Sequence, residues 1–151
     1  MSNLQIKISS DLAPLEQVLS KLENSQVLYK SWANHLEGVT VKAFKSQSAP
    51  YGGKWAPLKP ATVKQKKKRK NQILRETGTL YSTIAAQATP TGAVVGTNQQ
   101  VGAYSLGAIH CFGAPKRNIP ARPFLPIDAQ GNALPQVIVE LQEITEEFFA
   151  L

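Results

Sequence analysis

The chain has 151 residues, 42% of them hydrophobic and 18% charged, which excludes disorder of the whole chain and provides enough material for one domain that buries roughly two-thirds of its unfolded surface. A single cysteine, Cys111, excludes an internal disulfide and pairs with nothing into a zinc motif; no apolar run approaches the roughly 18 residues of a membrane span, and no secretory leader is visible, so the expectation is a soluble protein of a reducing cytoplasm. The net charge of +7 is segregated: 14 of the 17 Lys and Arg lie between Lys42 and Arg122, a span with one acid, Glu76, whereas Glu140, Glu143, Glu146 and Glu147 crowd the C-terminal end. Such a basic middle attracts polyanions or an acidic protein face.

In chain order, Leu4–Ile8 alternates as a short strand, and Ser9, Ser10 and Asp11 offer helix N-cap oxygens. Leu12, Leu15, Val18, Leu19 and Leu22 then recur at helical spacing. A second helix is predicted from about Ser25 to Gln47, with Leu28, Trp32, Leu36, Val39 and Phe44 on one broad face and Gly38 weakening its middle. Ala49–Pro60 reads as loop, rich in Pro and Gly, with Trp55 at its centre. Pro60 opens a third helix that runs through Gln65–Lys70, because proline in a first turn forfeits no helical hydrogen bond.

Gly78 separates that helix from Leu80–Ala88, a short helix or strand. Ala85–Thr89 and Ala93–Thr97 flank the turn signal Pro90-Thr91-Gly92 and predict a hairpin. Val101–Phe112 reads as a glycine-loosened helix, Asn118–Pro126 as an extended stretch punctuated by prolines. A last helix runs from near Ala133 to about Phe149, with Leu134, Val137, Ile138, Leu141, Ile144 and Phe148 on one face. Together these elements predict an α+β fold in one domain over residues 1–151. Two N-terminal helices and a small antiparallel sheet with the Ala85–Thr97 hairpin are joined by a C-terminal helix on that sheet. Pro50–Lys70 is expected to be mobile in the free subunit and ordered on assembly, since it is rich in Gly and Pro and its lysines repel one another.

Several constellations invite a functional reading. The run Lys64–Lys70 (KQKKKRK), with Lys66, Lys67, Lys68 and Arg69 at its heart, suits non-specific contact with phosphates or an acidic neighbour. No aromatic interleaves it and no DNA-binding motif encloses it, so base-specific readout is not indicated, and a solvated face is the plain alternative. His110-Cys111 suggests a nucleophile and its base, which gives a weak Cys-His hydrolase reading. Adjacent residues on a helix diverge by about 100°, however, and Asp128 is the only acid near them in sequence. A packed His110 beside a buried Cys111 is the preferred account, and two His with one Cys show no metal spacing. Trp55 either anchors a partner or folds back into the core; the second is favoured for a monomer, and an oligomer can bury it between subunits. Pro123 holds Arg122 out of helical conformation, so a stiff Arg beside Phe124-Leu125 suits a fixed salt bridge or an inter-subunit contact, with a surface Arg as the alternative.

Three blocks carry a family resemblance: Pro50–Thr62 (PYGGKWAPLKPAT), Arg75–Leu80 (RETGTL) and Ala108–Ile127 (AIHCFGAPKRNIPARPFLPI). In this order they resemble the phage virion morphogenesis (tail completion) proteins of Mu-like phages and cover half of Pro50–Ile127. The matching positions are Pro50, Gly52 and Gly53; Lys54, Trp55, Pro57 and Leu58; Thr62; Thr77, Gly78 and Leu80; Tyr104, His110, Phe112 and Gly113; and Pro120–Leu125. The chain departs from the pattern in the five residues between Tyr104 and His110 and in Cys111, where a polar residue is commoner.

The resemblance implies a structural protein of late tail or head–tail assembly with no catalytic residues and no cofactor. It implies an α+β subunit of a ring, commonly of six, around the DNA path. Its partners would be other tail or head–tail connector proteins, with non-specific contact to packaged DNA and none to membrane. It would be found in the host cytoplasm during assembly and then in the virion, at the tail or neck. Assembly candidates are Trp55, Lys66, Lys67, Lys68, Arg69, His110, Phe112, Arg122, Phe124 and Leu125. A non-specific nucleic-acid-binding protein using Lys64–Lys70 is the alternative of a different class.

Overall fold

A computed structural model of the chain describes residues 13–67, 69, 72–75 and 78–150. The strand expected at Leu4–Ile8, the caps at Ser9, Ser10 and Asp11, and the basic residues Lys68 and Lys70 lie outside the described residues.

Helix α1 (Ala13–Glu23) and helix α2 (Ser25–Ser46) follow one another with only Asn24 between them. Along α2, Leu28, Ala33, Thr40, Ala43 and Phe44 are buried. The helix ends where Gln47 takes a left-handed conformation (φ 51°) and returns its N–H to the Ala43 carbonyl. The reversal sends the chain back through a tight loop: the Ala49 N–H donates to the Gly53 carbonyl (2.9 Å) and the Trp55 N–H to the Gln47 carbonyl (2.8 Å).

Helix α3 (Pro60–Gln65) begins at its proline as expected but stops at Gln65 rather than continuing to Lys70. Lys66 is already extended (ψ 128°), and its ammonium bonds the carbonyls of Arg69 (3.1 Å) and Gln72 (2.5 Å). Lys66 therefore leaves the helix, in which like charges would stack one turn apart, and turns its ammonium to these carbonyls. Helix α4 (Thr79–Ser82) follows Gly78, whose positive φ of 79° suits glycine.

Strands β1 (Ala85–Thr89) and β2 (Gly92–Gly96) form the expected antiparallel hairpin, with Thr89 opposite Gly92 and Ala85 opposite Gly96. The Pro90-Thr91 loop is thus two residues long, and β2 starts one residue earlier than predicted. Ala86 and Ala88 share the more buried face with their cross-strand partners Val95 and Ala93. Side chains this small let α2 lie directly across both strands.

The helix expected over Val101–Phe112 is replaced in its first half by a second small hairpin, β3 (Gln100–Val101) with β4 (Tyr104–Ser105). Gly102 turns this hairpin at φ 60°, and Ser105 then starts helix α5 (Leu106–Phe112) by accepting the Ala108 N–H on its hydroxyl (3.3 Å). Past α5, a 3-10 turn at Pro115–Arg117 precedes the extended Asn118–Pro126 stretch.

Helix α6 (Pro135–Phe149) packs on α2 and α1, a correction to the expected docking on the sheet. The Trp32 indole N–H donates to the Thr145 hydroxyl (3.1 Å), and the Lys21 ammonium donates to the Ala150 carbonyl (3.0 Å). Helix α2 is covered by the hairpin and by α6, so the order is sheet, α2, α6. Val137 is 1% exposed as predicted, whereas Ile138 is 43% exposed and off the buried face. The architecture is α+β, with N-terminal helices, a small antiparallel sheet with a hairpin, and a C-terminal helix. No helix among the described residues is long and apolar enough to cross a membrane.

Candidate assembly site

The three sequence blocks meet around Phe44. Its ring is edge-on to Trp55 (centroids 5.4 Å apart, 87°) and to Tyr81 (5.3 Å, 67°), and tilted on Phe124 (5.1 Å). Phe124 is fully buried, Trp55 is 5% exposed, and Leu125 packs at the edge of the same cluster. Trp55 thus folds back into the core, as favoured for a single subunit.

Two reciprocal sets of hydrogen bonds fasten the Lys54–Leu58 loop to the Pro120–Leu125 stretch. The Trp55 indole N–H donates to the Pro123 carbonyl (2.6 Å). Arg122 donates from Nε to the Ala56 carbonyl (2.9 Å) and from Nη2 to the Pro57 carbonyl (3.1 Å). Arg122 is 7% exposed, which corrects the surface reading, and these carbonyl bonds stand where a salt bridge was expected. The cause lies in the composition: the stretch between Lys42 and Arg122 has one acid, so backbone carbonyls become the acceptors. Burial holds the guanidinium below its ordinary value.

The backbone of Arg122 is itself pinned to α5 through its N–H and the His110 carbonyl (2.8 Å). Between them, Gly113 sits at φ 77°, and a Cβ there would lie 2.7 Å from the Ala121 nitrogen and 2.9 Å from the Ile119 carbonyl oxygen. The glycine after Phe112 is required by that approach. Phe112 is 42% exposed, and Cys111 is buried. Burial, and then the nearby Arg122 charge, hold His110 below the ordinary imidazole value, so its ring is neutral near neutral pH. Asp128 spends its carboxylate on the amides of Gln130 and Asn132 (both 2.9 Å), closing its own turn rather than orienting His110.

Beside the clamp a cleft of about 530 Å³ opens between α3, α4 and α5. Lys66, Arg75, His110 and Arg122 line it together with Leu58, Leu74, Leu80 and Leu106, and no Asp or Glu is among its described lining residues. Arg75 lies over the Tyr81 ring (4.2 Å). Lys66 is half-buried, whereas Lys67 and Arg69 are exposed; among the described basic residues of the Lys64–Lys70 run only Lys66 is a lining residue of the cleft, and Lys68 is outside the described residues.

A second cluster carried no signal in the sequence. Glu140 of α6 accepts hydrogen bonds from His35 Nε2 (2.5 Å) and from the Tyr51 hydroxyl, at the edge of a cleft of about 560 Å³. Desolvation raises the Glu140 carboxyl, but the bonds from Tyr51 and His35 and the charges of His35 and Lys42 outweigh it and leave it below its ordinary value. Burial and the Glu140 partner push the Tyr51 phenol well up. The residues come from α6, α2 and a loop, separated by tens of positions. Among the described residues no group of three His, Cys, Asp or Glu side chains could hold a metal ion.

These observations describe a packing and anchoring device: aromatic side chains and an arginine fix two loops on one core. A family model described as the phage virion morphogenesis family matches residues 9–142, and the chain belongs to that family. Its role is structural, in phage virion morphogenesis. No curated protein and no solved structure matches the chain.

Proposed function

We propose that this chain completes the tail or joins it to the head, as a subunit of a ring around the DNA path. The observation that carries the reading is the amount of large apolar surface left uncovered on a small protein of a virion-building family. Leu15, Leu19 and Leu22 of α1 are each more than half exposed, at a spacing that places them on one helical face. Val101, Tyr104 and Phe112, around β3, β4 and α5, are also exposed. Apolar patches rimmed by charge mark protein contacts. A subunit with two different sticky faces closes into a ring when the rotation between copies allows it.

The exposed Lys64, Lys67 and Arg69 support the DNA side of the reading, because cations on a ring's inner face tolerate and hold passing phosphates without reading sequence. They equally support the alternative of a non-specific nucleic-acid-binding protein. A reconstruction of the mature particle separates the two. The proposal predicts a ring of this fold encircling the DNA at the tail or neck. Absence of the protein from the particle would contradict it.

A further inference from the structure

Arg75 and His110 both line the basic cleft, and Arg75 Nε and His110 Nδ1 are buried there without a hydrogen-bond partner. Arg75 Nε can only donate, and a buried donor left unmade is costly, so the cleft suits an acceptor that would meet Arg75. An anionic acceptor suits the wall, since its described lining residues include Lys66, Arg75 and Arg122 and no acid. It must also be carried on something apolar, because four leucines form much of the same wall. A wall with four leucines, beside a buried Arg122 and a half-buried Lys66, offers little to a phosphodiester backbone, which has no apolar surface to match it. An acidic peptide surface fits better, and guanidinium groups suit carboxylates.

The chain displays such a surface. On the exposed side of α6, Val139, Glu143 and Glu146 follow at helical spacing, with Glu147 at one edge of this face and the exposed Ile138 beyond the other. Its other side is taken up by α2 and α1. We infer that the cleft is the socket for the acidic face of α6 of a second copy, one glutamate reaching Arg75 while the aliphatic side chains meet the leucine wall. The contact is head-to-tail, so it propagates from copy to copy. This inference rests on the ring reading and assigns its interface.

Sedimentation of the full-length chain tests it, with a thermal melt to verify folding. The wild type is expected to form multiples of its 16.4 kDa mass at low salt and to lose them as salt rises. Arg75→Glu in the cleft, and Glu143→Lys/Glu146→Lys/Glu147→Lys on α6, should each raise the concentration needed for assembly about tenfold or more. Gln65→Glu, at an exposed position on the cleft's α3 wall, serves the same purpose without touching the core. A chain carrying both Arg75→Glu and the three lysines should assemble again, since the charges are exchanged. Folded variants that assemble like wild type overturn the inference, as does a wild-type chain that stays monomeric. So does a cleft variant that assembles normally but binds double-stranded DNA less well, which would mark a phosphate site. A ring seen in particles alongside any of these results leaves the ring reading standing without this interface.

Discussion

Trp55 does two jobs in one side chain, and its variants separate them. Trp55→Phe keeps most of the packing on Phe44 but leaves the Pro123 carbonyl without its donor, a loss of about 1–3 kcal/mol. Trp55→Ala also empties the core and should cost about 3–5 kcal/mol. Urea titrations of the two variants check the order; equal losses would show that the hydrogen bond contributes nothing. Gly113→Ala forces a Cβ against the Ala121 nitrogen at a positive φ and should cost at least about 1–3 kcal/mol.

His110 makes stability depend on pH in a particular window. Its folded value lies below the ordinary 6.5, so the unfolded chain takes up a proton more readily there. Its contribution is complete above about pH 6.5 and is lost as pH falls toward its folded value. Glu140, also lowered, adds a further loss below its ordinary 4.5. Melts across this range should show a decline beginning near pH 6.5 that His110→Gln removes, and a second decline at lower pH that it leaves in place. A His110→Gln profile identical to wild type would refute the assignment.

At the scale of elements, much was legible. The periodicity of Leu28–Phe44 located α2, the Pro90-Thr91-Gly92 signal located the hairpin, and the apolar repeat after Ala133 located α6. The pair β3 and β4 was not legible, because strands of two residues have no period to read. The packing of α6 was misread for a related reason: a periodic face says that something covers it, not which element does. At the site, the folding back of Trp55 was the favoured of two readings for a monomer, the other being an exposed anchor. The partners of Arg122 were not legible, since backbone carbonyls have no signature in sequence, and neither was the Tyr51–Glu140 bond, which spans 89 positions.

The basic segment divides along its length. Gln47–Leu58 is fastened by the hydrogen bonds of the Trp55 amide and indole and by Arg122, whereas Lys64, Lys67 and Arg69 are exposed. Hydrogen exchange tests the mobility expected of Pro50–Lys70. Fast exchange beyond Gln65 with a slow Trp55 amide would confine mobility to the lysine run, and slow exchange throughout would count against it. Replacing Lys66, Lys67, Lys68 and Arg69 by Gln should lower assembly in a salt-dependent way, since such charges act over about 8 Å at physiological salt. Because Lys66 also ties the loop through the Arg69 and Gln72 carbonyls, the same variant with Lys66 retained is the cleaner measurement of charge alone. Assembly of that variant equal to wild type at low and high salt would reduce the run to a solvated face.

For the whole molecule, charge and apolar surface are unevenly distributed. A basic middle, an acidic last helix and uncovered leucines on α1 leave one subunit with several unlike faces. The most direct measurement is electron microscopy of particles assembled with and without this protein. The account predicts that without it DNA-filled heads and finished tail tubes accumulate separately, and that restoring the wild-type chain joins them. Normally joined, infectious particles in its absence would contradict the account.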